Sequence, residues 1–101
     1  MQKKKYKLKG ELWIYPGETA NWHFLSIPKK EAREISANFN HLKRGWGSFP
    51  VEVKIRETKW KTSIFPDKKS GTYLLPIKAS IRKKENIRAG EKVEFSMVIL
   101  L

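Results

Sequence analysis

Apolar and polar residues alternate along four stretches of this chain, and this pattern restricts the possible folds more than any other feature. The stretches cover residues 5–15, 51–56, 59–64 and 93–99. A period of two places successive side chains on opposite faces of a β-strand, so each stretch predicts a strand with one buried face. Two shorter segments rich in aromatic and branched residues, 21–27 and 72–75, predict further strands bounded by turn residues.

Two other segments have the spacing of a helix. Between Pro28 and Phe39 the residues Ala32, Ile35 and Ser36 share one helical face, and proline suits a first helical position. This segment predicts a helix of about ten residues. Residues 77–87 show similar spacing and predict a second short helix. The glycine-containing segment 43–50 predicts a loop.

The order of these elements is repeated within the chain. A strand, a helix, a glycine turn and a strand occupy residues 24–53, and the same order returns over residues 73–95. The chain of 101 residues has the length of a single domain, which we place at residues 1–101. We therefore expect a mainly β protein with two short helices, a pseudo-twofold β-barrel that is capped by a helix at each end.

Composition excludes several classes of protein. The chain has no cysteine, which excludes disulfides, thiolate metal sites and thiol catalysis. His23 and His41 lack a supporting acidic cluster, and Asp67 is the only aspartate, so we predict no metal, no cofactor and no catalytic residue. The longest apolar run, residues 97–101, is shorter than the ~20 residues of a membrane span. We expect a soluble, cytoplasmic monomer without a membrane partner.

The charge is strongly positive and evenly distributed. Lysine and arginine number 22 against 10 acidic residues, a formal net charge of +12. Residues 1–50 and residues 51–101 each contribute +6, so the charge belongs to the domain and not to a tail. Such a field attracts polyanions, and nucleic acid is the partner that we expect first.

The two central segments, residues 51–56 and 59–64, predict a hairpin with several cations on its outer face. With a turn at residues 57–58, Ile55 faces Trp60, and the outer face then carries two opposed pairs: Lys54 with Lys61 and Arg56 with Lys59. Like charges in such pairs destabilise a sheet. One interpretation is that the four cations contact phosphates. The alternative is that their side chains extend into solvent and are relieved by Glu52 and Glu57.

Two further groups are candidates for a binding site. Trp46 lies between glycines and beside Arg44, where it could stack on a planar ligand or base, or alternatively close the end of a small core. Lys78 and Arg82 are four residues apart and share a helical face, which is either part of an anion site or simply solvated.

Several motifs resemble the domain-of-unknown-function family nineteen-oh-five. They are Trp22-x-Phe-x-x-Ile-Pro, Arg44-Gly45-Trp46-Gly47 before Pro50-Val51-x-Val, Trp60-x-Thr-Ser-x-Phe-Pro, and Gly71-x-Tyr-x-Leu-Pro-x-Lys78. The resemblance covers residues 5–100. It implies a small closed barrel of the double-split type, which swapped-hairpin DNA-binding regulators and antitoxin DNA-binding domains assemble from two chains. Here one chain would supply both halves.

The resemblance selects candidate ligand-binding residues but no ligand, because the function of the family is not established. The best-matching positions are Arg44, Trp46, Trp60, Thr62, Ser63, Lys78 and Arg82. The chain has Gly90-Glu91 where the family has Gly-Asp. Our first hypothesis is a non-enzymatic module that binds nucleic acid. A small-molecule pocket around the motif residues, with or without enzymatic activity, is the alternative, and a partner-binding strand edge at residues 97–101 is the third.

Overall fold

The computed structural model describes residues 4–16 and 22–100. Within these residues the strands are β1 Lys5–Tyr15, β2 Trp22–Ser26, β3 Phe49–Ile55, β4 Thr58–Asp67, β5 Thr72–Pro76 and β6 Lys92–Ile99, and the helices are α1 Lys29–Phe39 and α2 Ala79–Glu85. Short 3₁₀ turns span Asn40–Leu42 and Gly45–Gly47. The first residue of the predicted second strand, Asn21, lies outside the described residues.

The six strands form a closed antiparallel barrel in the order β1-β2-β5-β4-β3-β6. This confirms the predicted fold class. Strand β1 pairs with two strands: its residues 5–11 pair with β6, and its residues 12–15 pair with β2. Gly10 lies near this change, and a Cβ there would be 3.2 Å from the carbonyl oxygen of Ser26. Glycine thus allows the close backbone approach that the crossing requires.

The inward side chains of the alternating strands fill the barrel. Fully buried members include Leu12, Leu25, Phe49, Val51, Val53, Ile64, Leu75 and Met97. Each such side chain stabilises the fold by about 1.5–3 kcal/mol relative to leaving it exposed. Ala32 and Ile35 of α1 and Ile81 of α2 join the same core, so the helices are held by their apolar faces.

The two halves of the chain are arranged symmetrically. Exchanging β1, β2, α1 and β3 with β4, β5, α2 and β6 leaves the strand order unchanged. Leu25 pairs with Leu75, and the amide of Ala32 donates to the carbonyl of Pro28 as that of Arg82 donates to Lys78. Equivalent residues are therefore fifty positions apart in this region. Because β2 and β5 are antiparallel, the helices that follow them leave the barrel at opposite ends.

The predicted register of the hairpin was wrong by two residues. Its turn falls at Arg56-Glu57, so Lys54 faces Lys59, not Lys61, and Trp60 faces Val53, not Ile55. The buried Thr58 hydroxyl donates to Glu85 Oε2 at 2.5 Å, which holds Thr58 in β4. That partner is 27 residues away, so the local alternation could not reveal it. A slip of two keeps every side chain on its expected face.

Three smaller expectations also need correction. Pro28 is the N-cap of α1 and not its first residue. The second helix is shorter than residues 77–87 and is followed by Asn86 in the left-handed conformation, with φ 54°. The final strand β6 pairs with β1 on one side and β3 on the other, so Met97 and Ile99 are buried and present no free strand edge.

Candidate functional site

Exposed cations lie along β1, β3 and β4, and β6 is the strand between β1 and β3 in the barrel. They are Lys5, Lys7 and Lys9 of β1, Lys54 of β3, Arg56 of the hairpin turn, and Lys59 and Lys61 of β4. We call this set the basic face. A groove of about 560 Å³ lies between the β1 lysines and the pair Lys54 and Arg56. Ser96 and one carboxylate, that of Glu94, line it from β6.

Strand pairing aligns three of these lysines in one row. Lys7 pairs with Ser96, Ser96 with Lys54, and Lys54 with Lys59, and strands are about 4.8 Å apart. The row contains no carboxylate. The nearest neighbouring acids flank it, with Glu52 Oε1 at 3.8 Å from Lys59 Nζ and Glu94 opposite Lys9. Opposed cations such as Lys54 and Lys59 destabilise a sheet by about 0.2–1 kcal/mol. The ion pair of Lys59 with Glu52 offsets part of this effect, as the alternative interpretation expected, and a bound anion would offset the rest.

Arg56 has a structural partner that was not expected. It occupies the hairpin turn with φ 51°, and its Nη1 donates to the main-chain oxygen of Glu85 at 2.6 Å. The Glu85 carboxylate lies 3.7 Å from the same nitrogen. Arg56 therefore joins the turn to the end of α2. Its side chain is 63% exposed and still borders the groove.

A second concave site lies where β2, β4 and the start of α2 meet. This cavity of about 400 Å³, which we call the tryptophan pocket, is lined by Trp22, His23, Trp60, Lys61, Thr62, Pro76, Ile77, Lys78, Ala79 and Arg82. Its walls combine two indoles with three cations, and none of its described lining residues is acidic. Four of the seven motif residues, Trp60, Thr62, Lys78 and Arg82, are thus brought together.

The guanidinium of Arg82 is held in place at this pocket. Its Nε donates to the main-chain oxygen of Ile77 at 3.1 Å, and its Nη1 lies 3.3 Å from His23 Nε2. A guanidinium has only donors, so a hydrogen bond here requires the tautomer of His23 that has Nε2 as the acceptor. These two contacts use two of the five N–H donors of Arg82.

The other three motif residues do not line the tryptophan pocket. Trp46 lies in the 3₁₀ turn Gly45–Gly47, where it is 93% exposed with φ 64°. It does not close the core, but its indole is accessible for stacking. Just before the turn, the amide of Arg44 donates to the main-chain oxygen of Ser48. Gly47 lies close to the side chain of Pro66. Ser63 follows Thr62 on the strand and therefore faces the other side of β4.

Several residues at these sites were not predicted as site residues, among them Lys5, Lys7, Lys9, Trp22 and His23. Lys5, Lys7 and Lys9 were visible as the polar face of a strand, but the pattern did not show that β6 brings β1 beside β3. Trp22 belongs to one of the family motifs, but neither its position in the sequence nor that of His23 shows that the two residues lie near Arg82. Only the strand pairing of the barrel brings them to the same pocket.

Two titratable groups outside both sites have shifted pKa values. Burial raises the pKa of the Tyr6 phenol, and the nearby negative charge of Glu31 adds to the effect. The hydrogen bond from the Ser70 hydroxyl lowers the pKa of Asp67 in the β4–β5 turn. Within residues 4–16 and 22–100, no cluster of three or more His, Cys, Asp or Glu side chains could hold a metal ion, and no helix could span a membrane.

A comparison with protein-family models identifies the chain. The model described as "Domain of unknown function (DUF1905)" matches residues 9–97. The match covers most of the 101 residues, so the chain belongs to this family. It also confirms the family that the sequence motifs indicated. No curated protein matches the chain.

Proposed function

We propose that this member of the DUF1905 family is a non-enzymatic binding module that holds nucleic acid on its basic face. The observation that carries the proposal is the row of Lys7, Ser96, Lys54 and Lys59 across four strands. These lysines are exposed, aligned and without a carboxylate in their row. Phosphates of a strand that crosses the groove would replace unfavourable cation pairs with favourable contacts.

The barrel architecture is compatible with this proposal. The exchange symmetry of the strand order supports a barrel of the double-split kind, in which one chain, acting as a monomer, carries both halves. Phosphate contacts position a strand without reading its sequence. We therefore expect little sequence preference. The exposed Trp46 would add a stacking contact outside the row.

Binding is expected to be weak and to depend on salt. Contacts that rest on phosphates alone give dissociation constants of roughly 10⁻⁴–10⁻⁶ M at physiological salt. Three to six such contacts give a slope of log K against log salt of about −3 to −5 on a duplex. On the same relation, the loss of one phosphate contact lowers the affinity about eightfold at ~0.1 M salt.

The test is a titration of a labelled single strand and its duplex at two salt concentrations. Lys54→Gln with Lys59→Gln should lower the affinity about 60-fold at ~0.1 M salt and reduce the slope by about 2. The matched control replaces Lys68 and Lys69, which are exposed in the turn beyond the other end of β4. Binding that ignores salt, or equal losses in the two double variants, would refute the proposal.

The tryptophan pocket supports a second candidate function. Trp60, Thr62, Lys78 and Arg82 come from two distant segments and converge on one cavity. The volume of about 400 Å³ lies within the range of small-molecule sites, roughly 300–1,000 Å³. This candidate is a binding site for a small anionic molecule, and we assign no catalytic step to it.

A further inference from the structure

The symmetry of the barrel provides an internal comparison for the tryptophan pocket. Arg82 is equivalent to Ala32 and Lys78 to Pro28, since each pair is separated by fifty positions and makes the same backbone hydrogen bond. Ala32 is an uncharged residue that is buried in the core. The fold therefore accepts a small apolar residue at this position. The two cations of the second half therefore have no charged counterparts at positions 28 and 32 of the first half.

The side chains of the pocket define the chemistry of its ligand. The indoles of Trp22 and Trp60 and the ring of Pro76 offer flat apolar surfaces, and Trp22 is 58% exposed. The Trp22 indole is nearly parallel to the Phe24 ring, with an interplanar angle of 8° and the ring centroids 6.3 Å apart. A planar aromatic ring on such a surface gains stacking energy that does not depend on its identity.

The cations of the pocket require a negative group on the same ligand. Lys78 and Arg82 lie on one side of α2, and the pinned guanidinium of Arg82 has donors left for an oxyanion. The Thr62 hydroxyl adds a neutral donor or acceptor. Since none of the described lining residues is a carboxylate, the pocket favours an anion over a cation or a neutral ring.

From these features we propose that the tryptophan pocket binds one nucleotide, with its base against the indoles and its phosphate at Lys78 and Arg82. The nucleotide could be free or could be an unpaired residue of a longer strand. Lys61 belongs both to the basic face and to the pocket, so a strand on that face can reach the cavity. Binding of a nucleotide within a strand rests on the proposed nucleic-acid binding, whereas binding of a free nucleotide does not.

The free-nucleotide arm uses adenosine monophosphate, adenosine and inorganic phosphate as separate probes. Binding is followed by the indole N–H resonances of Trp22 and Trp60. Adenosine monophosphate should bind at least about tenfold more tightly than either part alone, because both halves of the pocket are then used. Arg82→Ala should weaken its binding about 10–100-fold, the loss typical of a hydrogen bond to a charged group. Arg82→Lys should restore only part of the affinity, because it keeps the charge and loses the planar fork.

Two controls keep the result interpretable. Arg82→Ala copies the residue that the other half carries at position 32, so a folded barrel is expected and is checked by thermal unfolding. The double variant Lys54→Gln with Lys59→Gln should leave binding of the mononucleotide within about twofold, since these residues lie outside the pocket.

The strand arm compares a single strand with its duplex in the Arg82→Ala protein. One outcome is that Arg82→Ala binds the single strand about tenfold more weakly and the duplex unchanged, while the unmodified protein does not bind the mononucleotide. This outcome assigns the pocket to an unpaired residue of a strand. A loss of mononucleotide binding assigns it to the free nucleotide. If Arg82→Ala changes neither, the pocket proposal is overturned, and salt-dependent binding to Lys54 and Lys59 is judged separately by its own variants.

Discussion

Replacing Glu85 with alanine removes the side-chain contacts between the β3–β4 hairpin and the end of α2, and it leaves the hydrogen bond from Arg56 to the main-chain oxygen of residue 85 in place. The Glu85 side chain is 9% exposed, and its Oε2 accepts the hydrogen bond of the buried Thr58 hydroxyl at 2.5 Å. A hydrogen bond to a charged group contributes about 1.5–3 kcal/mol. The neighbouring Arg56 guanidinium is largely exposed, so its ion pair with the carboxylate adds at most about 1 kcal/mol.

We therefore expect Glu85→Ala to lower the free energy of unfolding by about 2–3 kcal/mol, since it leaves the Thr58 hydroxyl buried without its acceptor. For a domain near 100 residues this corresponds to a fall in Tm of about 10–20 °C. Glu85→Gln retains an acceptor oxygen and should lose less. The measurement is thermal and urea unfolding followed by circular dichroism.

A double-mutant cycle isolates the Thr58 contact. In a Thr58→Val background, Glu85→Ala should cost about 1–2 kcal/mol less than in the unmodified protein. Glu57→Ala in the same turn is the matched control, and we expect a change within about 0.5 kcal/mol for this exposed residue. If Glu85→Ala costs no more than Glu57→Ala, or if the cycle shows no coupling, the turn is not held by this contact.

Two further changes test other parts of the barrel. Tyr6→Phe should raise the free energy of unfolding by about 1 kcal/mol, because the Tyr6 hydroxyl is buried without a hydrogen-bond partner among the described residues. The raised pKa of Tyr6 means that the native protein loses stability as the pH rises above ~10, and urea unfolding at increasing pH should show a smaller loss in the variant. Gly47→Ala should destabilise the protein by about 1–2 kcal/mol, since Gly47 has φ 72° and a Cβ would lie 3.2 Å from Pro66 Cγ. Gly45→Ala is the control and should be nearly neutral, because a Cβ there meets nothing within 4 Å. Thermal unfolding of both variants measures the difference.

The alternation of side chains was sufficient to predict the strands and their buried faces. Burial of one face restricts each strand to a single orientation, so Val51, Val53 and Ile64 point inward as expected. Alternation repeats every two residues and cannot distinguish registers that differ by two. In the observed register Thr58 is buried and contacts Glu85, and this contact joins segments that are distant in sequence.

The candidate site was predictable only in part for the same physical reason. The motifs identified Trp60, Thr62, Lys78 and Arg82 as relevant residues, but their convergence depends on how α2 packs beside β4. For Trp46, flanking glycines are compatible with an indole inside or outside the core, and only the left-handed backbone of the turn places it in solvent.

The position of β6 between β1 and β3 has a consequence for how the barrel folds. Lys5 pairs with Val98, so this seam joins residues from nearly opposite ends of the described chain. Such a high contact order slows folding, typically to milliseconds or seconds for barrels of this kind. Until β6 is inserted, Lys7 and Lys54 have no common neighbour, and the row that we assign to phosphate binding does not exist. Affinity for a polyanion therefore also reports whether β6 has paired with both β1 and β3.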